Sequence, residues 1–188
     1  MKKLLSAVCI LLFVKAGWSQ QVIKSTDPHI HYAGRIIFAP DAAELIWPGS
    51  SATISFNGTG IKATLKDEGG ENYFKVIVDG KVLPDIHLDT LKHSYKLVAG
   101  LPKGKHTLQL FKRTEWTMGN TWLYNFELDS NSTLAPAPLT KKRKIEFYGN
   151  SITCGFAVLD TAGKDRGSSP FEDNYLSYAA ITARHFNA

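Results

Sequence analysis

Apolar and polar residues alternate in run after run between residues 29 and 128. A period of two puts successive side chains on opposite faces of a strand, so each run can bury one face and wet the other. Ala52, Ile54 and Phe56 alternate with Thr53 and Ser55, and Ile61, Ala63 and Leu65 alternate with Lys62, Thr64 and Lys66. Phe74, Val76 and Val78 run into Asp79-Gly80, a dipeptide that favours a tight hairpin turn. Trp122, Tyr124, Phe126 and Leu128 are expected on one face of a later strand, with shorter candidates at Arg35–Phe38, Ser94–Val98 and Thr107–Lys112. Gly, Pro and Asn separate these runs. The pattern predicts an antiparallel β-sandwich over residues 29–130, long enough to bury a core of its own.

The pattern then stops. Residues 131–144 are polar, carry Pro136 and Pro138, and end in Lys141-Lys142-Arg143-Lys144, which reads as a linker. Ile145–Tyr148 is predicted to be a short strand, followed at Gly149 by a glycine-rich loop reaching Ser168. Ser169-Pro170-Phe171-Glu172 has an N-cap serine, a first-turn proline and a glutamate three after the cap, so it predicts a helix running to Phe186. Strand, loop and helix open an α/β unit, but one strand cannot close a core. Such a segment either docks on the sandwich or begins a domain that continues in a longer protein; the second is the expectation here.

Charge bears on partners. Residues 1–19 contain Lys2, Lys3 and Lys15 and no acid, with an apolar stretch from Leu4 to Val14 and small residues Gly17 and Ser19 behind it. This is the layout of a secretory signal peptide cleaved after Ser19, which predicts a secreted or periplasmic protein. The apolar stretch is too short for a membrane span. Without it, 19 basic residues face 17 acidic ones, and the formal net charge drops from +5 to +2. The basic footprint is therefore leader plus linker, and nucleic acid is not indicated. Cys154 is the one cysteine left in the mature chain, so no intramolecular disulfide can form.

The chemistry-bearing stretch is Gly149-Asn150-Ser151-Ile152-Thr153-Cys154-Gly155. A serine just past a strand and between glycines can expose its hydroxyl and converge backbone N–H groups on one point. A serine nucleophile and half an oxyanion hole need that arrangement. On spacing alone, a Ser and an Asn that merely satisfy a turn fit as well.

Ile145–Gly155 resembles block I of the SGNH (GDSL-type) hydrolases, and the wider pattern is similar to carbohydrate esterase family 2. The agreements are Tyr32-Ala33-Gly34-Arg35, Trp47-Pro48-Gly49-Ser50, Val78-Asp79-Gly80-Lys81, Lys112-Arg113-Thr114-Glu115, Phe126-Glu127-Leu128-Asp129, the Ser151 block and Tyr175-Leu176-Ser177-Tyr178-Ala179, in the family's order. The resemblance implies a jelly-roll sandwich, then the first strand and helix of a three-layer, flavodoxin-like SGNH domain, incomplete over 145–188. It implies removal of acetyl groups from xylan and related plant polysaccharides through an acyl-enzyme, with no metal or other cofactor. The implied partner is an acetylated polysaccharide or oligosaccharide; oligomeric state is not indicated.

Carried over by position, Ser151 would be the nucleophile and its N–H one oxyanion donor. Gly149, Asn150 and Gly155 would support its loop, with Asn150 standing where the superfamily usually has Asp. Cys154 would be a small residue beside the site. None of His29, His31, His87, His93, His106 or His185 matches the family's catalytic histidine. Without that base the chain alone is expected to lose nearly all turnover. The competing reading is a non-catalytic carbohydrate-binding sandwich. Trp116 could stack on a sugar or lie in the core, whereas Trp122 reads as core. Asp85, His87 and Asp89 alternate on one strand, but with no fourth ligand indicated they read as an exposed face and no metal site.

Overall fold

The computed structural model describes residues 20–164 and 167–188. The proposed signal peptide, residues 1–19, lies outside the described residues. Among these, the strands in chain order are β1 (Val22–Lys24), β2 (His31–Ala33), β3 (Ile36–Phe38), β4 (Ala43–Leu45), β5 (Ser51–Gly58), β6 (Ile61–Asp67) and β7 (Tyr73–Val78). They continue as β8 (Lys81–Val82), β9 (Ile86–His87), β10 (His93–Val98), β11 (Gly104–Lys112), β12 (Thr121–Leu128) and β13 (Thr133–Leu134). One sheet is ordered β10-β6-β12-β4-β3, with β1 also on β12; the other is β13-β5-β11-β7-β8, with β2 also on β5 and β9 on β7. Central neighbours such as β5 and β11 or β6 and β12 are distant in sequence and antiparallel. Two such sheets face to face make a sandwich consistent with a jelly roll.

Alternation explains most strands. Ile61, Ala63 and Leu65 of β6 are buried while Lys62, Thr64 and Lys66 point outward. Ile54, Phe56, Phe74, Val76, Leu108 and Leu110 meet them from the other sheet in one core. Asp79 and Gly80 both have positive φ (51° and 79°), the backbone of a type I′ turn, and close β7 on β8.

Four sequence expectations are corrected. Trp122, Tyr124, Phe126 and Leu128 do not share a face. The register against β6 shifts between Leu123 and Asn125, so Tyr124 is the extra residue of a bulge. Leu123, Phe126 and Leu128 are buried, while Trp122 and Tyr124 are half-buried on the outer face under the ammonium groups of Lys66 and Lys92. Trp122 is therefore not core. Second, strands lie outside the 29–130 limits. β1 buries Ile23 against β12, and β13 extends into the expected linker to pair with β5.

Third, Ile145–Tyr148 forms no strand, because no neighbouring strand pairs with it among the described residues. Fourth, the helix expected from Ser169 to Phe186 is broken. Two 3₁₀ turns, Ser169–Phe171 and Asn174–Leu176, precede α2 (Tyr178–His185), and the side chain that caps α2 is Ser177, which accepts from the Ala180 N–H. Tertiary partners, described below, occupy the backbone groups of residues 169–174 that an α-helix would need. A one-turn helix, α1 (Ser151–Cys154), stands before the glycine-rich loop. Among the described residues no helix is long and apolar enough to cross a membrane.

Candidate active site

Ser151 is exposed at the first position of α1. Asn150 caps the turn, its Oδ1 accepting from the Ile152 N–H at 3.2 Å while its carbonyl accepts from Thr153 at 2.9 Å. The Ser151 N–H precedes any intrahelical acceptor and has no hydrogen-bond partner among the described residues. Hydroxyl and amide of one residue are thus both presented to solvent. Gly155 ends the turn with φ +80°, and a Cβ there would collide with the Asp173 carbonyl. The Asp173 N–H donates back to the Gly155 carbonyl at 3.0 Å. A Cβ on Gly149 would collide with the Thr153 side chain. The two glycines and Asn150 therefore shape the turn that holds Ser151.

The turn rests on the sandwich. Asn174 Nδ2 donates to the Thr153 carbonyl at 3.0 Å, and the Asn174 N–H donates to the Arg113 carbonyl at 2.9 Å. Buried Arg113 stacks on Tyr73 and donates to Asp85 at 2.6 Å, to the Pro170 carbonyl at 2.6 Å and to the Ser169 carbonyl at 3.0 Å. Lys75 joins Asp85 (3.1 Å) to fully buried Asp173 (2.7 Å), and Ser169 donates its hydroxyl to Glu71 at 2.6 Å. Phe111 meets Tyr175 edge to face at 5.3 Å. Arg35 reaches Glu146 (2.6 Å) and Tyr148 (3.1 Å) ahead of the turn. The segment thus docks on the sandwich, one of the two arrangements its sequence allowed.

Beneath α1 lies a titratable cluster. Lys112 is fully buried and donates to the carbonyls of Thr114 and Glu115, both at 3.1 Å. Burial pushes its ammonium down to about 8, against the pull of Asp67, Glu172 and Glu115. Glu172 accepts the Glu115 N–H at 3.0 Å on Oε2, and its Oε1 is buried with no hydrogen-bond partner among the described residues. Burial pushes this carboxyl up to about 7. Half-buried Cys154 has its thiol pushed up to about 11, by burial and then by the carboxylates of Glu115 and Glu172. The same burial disfavours the thiolate, the nucleophilic form of a cysteine.

Among the described residues no histidine bonds to Ser151. His87 contacts the Gly70 carbonyl, His106 contacts Asp79 and the Pro102 carbonyl, and His185 packs on Phe186. The Asp85, His87 and Asp89 trio does not converge. Asp85 is spent on Lys75 and Arg113, and Asp89 on the Leu91 N–H and His93. Asp85 is therefore an anchor and not part of an exposed face. Trp116 is 54% exposed, so it is not core, and it faces Trp47 (44% exposed) across 6.4 Å.

Sequence reasoning missed Lys75, Arg113, Glu172, Asp173 and Asn174. The available signal was charge at strand positions meant to be buried, Lys112-Arg113, together with the polar run Glu172-Asp173-Asn174 opposite it.

Residues 32–138 match the family model described as Carbohydrate esterase 2 N-terminal. The chain is similar to the cellulase/esterase CelE of Acetivibrio thermocellus, 42% identical over 163 residues that make up 86% of this chain and 20% of that protein. It is similar to an acetylxylan esterase / glucomannan deacetylase of Cellvibrio japonicus, 30% identical over 171 residues, 90% of this chain and 47% of that protein. Among solved structures it is similar to a family two carbohydrate esterase from Clostridium thermocellum in complex with cellohexaose. There the TM-score is 0.81 at 41% identity, covering 85% of this chain and 49% of the other. The chain spans half or less of the length of these relatives.

Proposed function

The chain belongs to the carbohydrate esterase 2 N-terminal family, and from that premise we propose that it carries the nucleophile of a secreted esterase acting on acetylated plant polysaccharides. The observation that carries this reading is the exposed Ser151, with a free backbone N–H, on a turn built by Asn150 and Gly155. The Ser151 hydroxyl adds to the acetyl carbonyl, and the Ser151 N–H is one donor to the oxyanion that forms. The tetrahedral intermediate collapses with cleavage of the ester C–O bond. The sugar hydroxyl leaves with a proton, and the acetyl group stays on Ser151. Water then hydrolyses this acyl-enzyme to acetate. The base that takes the serine proton lies outside the residues around Ser151 here, in the rest of a whole protein whose relatives are about twice this length or more. The segment 145–188 is then the opening of its SGNH domain, and residues 1–19 direct it to export.

The junction argues against a stand-alone binding sandwich. Buried Arg113 and partly buried Lys75 find partners in Ser169, Pro170 and Asp173. Without that segment Arg113 would lose two carbonyl acceptors and Lys75 its shorter ion pair, to Asp173.

The test is acetate release from acetylated xylan by the whole protein and by its Ser151→Ala variant. The expected loss is on the order of a thousandfold or more. Undiminished release by Ser151→Ala would overturn the assignment.

A further inference from the structure

We propose that Trp47 and Trp116 form a two-ring stacking site for a single, twisted polysaccharide chain running past Ser151. The proposal rests on the esterase reading for what that chain is, and on the following geometry for where it binds.

Both rings are large, apolar and open, with 44% and 54% of their surface exposed. Removing such surface from water is favourable, and a sugar ring offers C–H groups to an aromatic face while its hydroxyls stay solvated. Both tryptophans also belong to loops that are tied to the nucleophile turn. Trp47 opens the turn Trp47-Pro48-Gly49-Ser50, in which the Ser50 N–H donates to the Trp47 carbonyl and Gly49 has φ +80°. Gly49 lies against Asn174, whose amide holds the Thr153 carbonyl of α1. Trp116 follows Glu115, whose N–H is held by Glu172 and whose carboxylate bears on Cys154, the last residue of α1. The contacts that hold the Ser151 turn therefore also hold the loops that carry the two rings.

Orientation selects the ligand. The ring centroids are 6.4 Å apart and the planes are inclined by 44°. A flat crystalline surface needs coplanar rings and could lie on at most one of these. A single hydrated chain, whose successive sugar rings turn relative to one another, can present one ring to each. The nearby Glu115 carboxylate and Thr117 hydroxyl, joined at 2.6 Å, supply a polar rim for sugar hydroxyls. Two further half-buried rings, Trp122 and Tyr124, carry lysine ammonium groups over their faces, at 5.7 and 3.4 Å from the centroids. Among the described residues, no cation lies over Trp47 or Trp116.

The experiment uses the whole protein with Ser151→Ala, so that binding is read without turnover. Soluble xylan and glucomannan in native affinity gels, and microcrystalline cellulose in a depletion assay, are the probes. Trp47→Ala and Trp116→Ala are each expected to weaken retardation by about tenfold. Trp47→Phe and Trp116→Phe, which keep a ring, should recover most of it, and Trp122→Ala should change nothing. Crystalline cellulose should leave the protein in solution. Unchanged retardation of the Trp47→Ala/Trp116→Ala double variant, or depletion by crystalline cellulose to the same extent as retention by xylan, would overturn the proposal. Either result would leave the Ser151→Ala acetate assay, and the esterase reading, untouched.

Discussion

Glu172 accepts the Glu115 N–H on one carboxyl oxygen and buries the other without a partner. A carboxylate so placed has lost much of its hydration and regained little, so it keeps its proton to about 7 instead of 4.5. Between those values the folded state binds more protons than the unfolded chain, and stability falls as pH rises from about 4.5 to about 7. Lys112 acts oppositely at higher pH. Folded, it releases its proton near 8 instead of 10.5, so stability rises with pH between them. Glu172→Gln keeps an acceptor for the Glu115 N–H and makes the orphaned atom a donor that no longer titrates. Urea unfolding at pH 5, 6, 7 and 8 should show a flatter decline for Glu172→Gln than for the parent between pH 5 and 7. An unchanged slope would assign that pH dependence to another group.

At the level of elements, the one-turn helix α1 depends on a glycine. Gly155 has φ +80°, and a Cβ there would drive into the Asp173 carbonyl, which is backbone and cannot swing aside. Gly155→Ala should cost about 1–3 kcal/mol, felt in the Ser151 turn and not in the sandwich. In the whole protein, on the proposed esterase reading, the expected signature is lost acetate release with the sheet circular-dichroism signal retained; wild-type activity and melting temperature together would contradict it. Legibility in the sequence divides along similar lines. The strands β5, β6 and β7 and the Asp79-Gly80 hairpin were readable because each obeys a local rule, period two or a turn dipeptide. The Gly149–Gly155 turn was readable as a shape, and its chemistry only through resemblance. The bulge at Tyr124 was not readable, because one inserted residue reverses the faces without altering composition. Residues 169–176 carried helix-start signals, but Arg113 takes up the Ser169 and Pro170 carbonyls, Leu159 takes up that of Phe171, and the Asp173 and Asn174 N–H groups go to the Gly155 and Arg113 carbonyls.

Across the whole molecule, two kinds of cohesion divide the chain at about residue 140. The sandwich is held by an apolar cluster from Ile23 to Leu128 with Leu134 packed on it. In residues 145–188, by contrast, Ala179 is the one buried apolar side chain among those described, while Ile152, Tyr178 and Ile181 are each about half exposed or more. That segment is held by polar pairs distant in sequence, Lys75 with Asp173, Arg113 with Ser169 and Pro170, and Arg35 with Glu146. No periodicity encodes such pairs, which is why the docking was not legible beforehand. Polar attachment with little apolar burial permits opening without global unfolding. Native-state hydrogen exchange should therefore separate the two parts. Amides of β6, β11 and β12 should exchange only through global unfolding, whereas those of α2 should exchange through an opening that costs a few kcal/mol less. The gap should narrow when the denaturant concentration approaches the midpoint, because subglobal opening exposes less surface than unfolding and responds less steeply. Equal exchange free energies for α2 and for the central strands would show a single cooperative unit, with the polar junction as strong as the core.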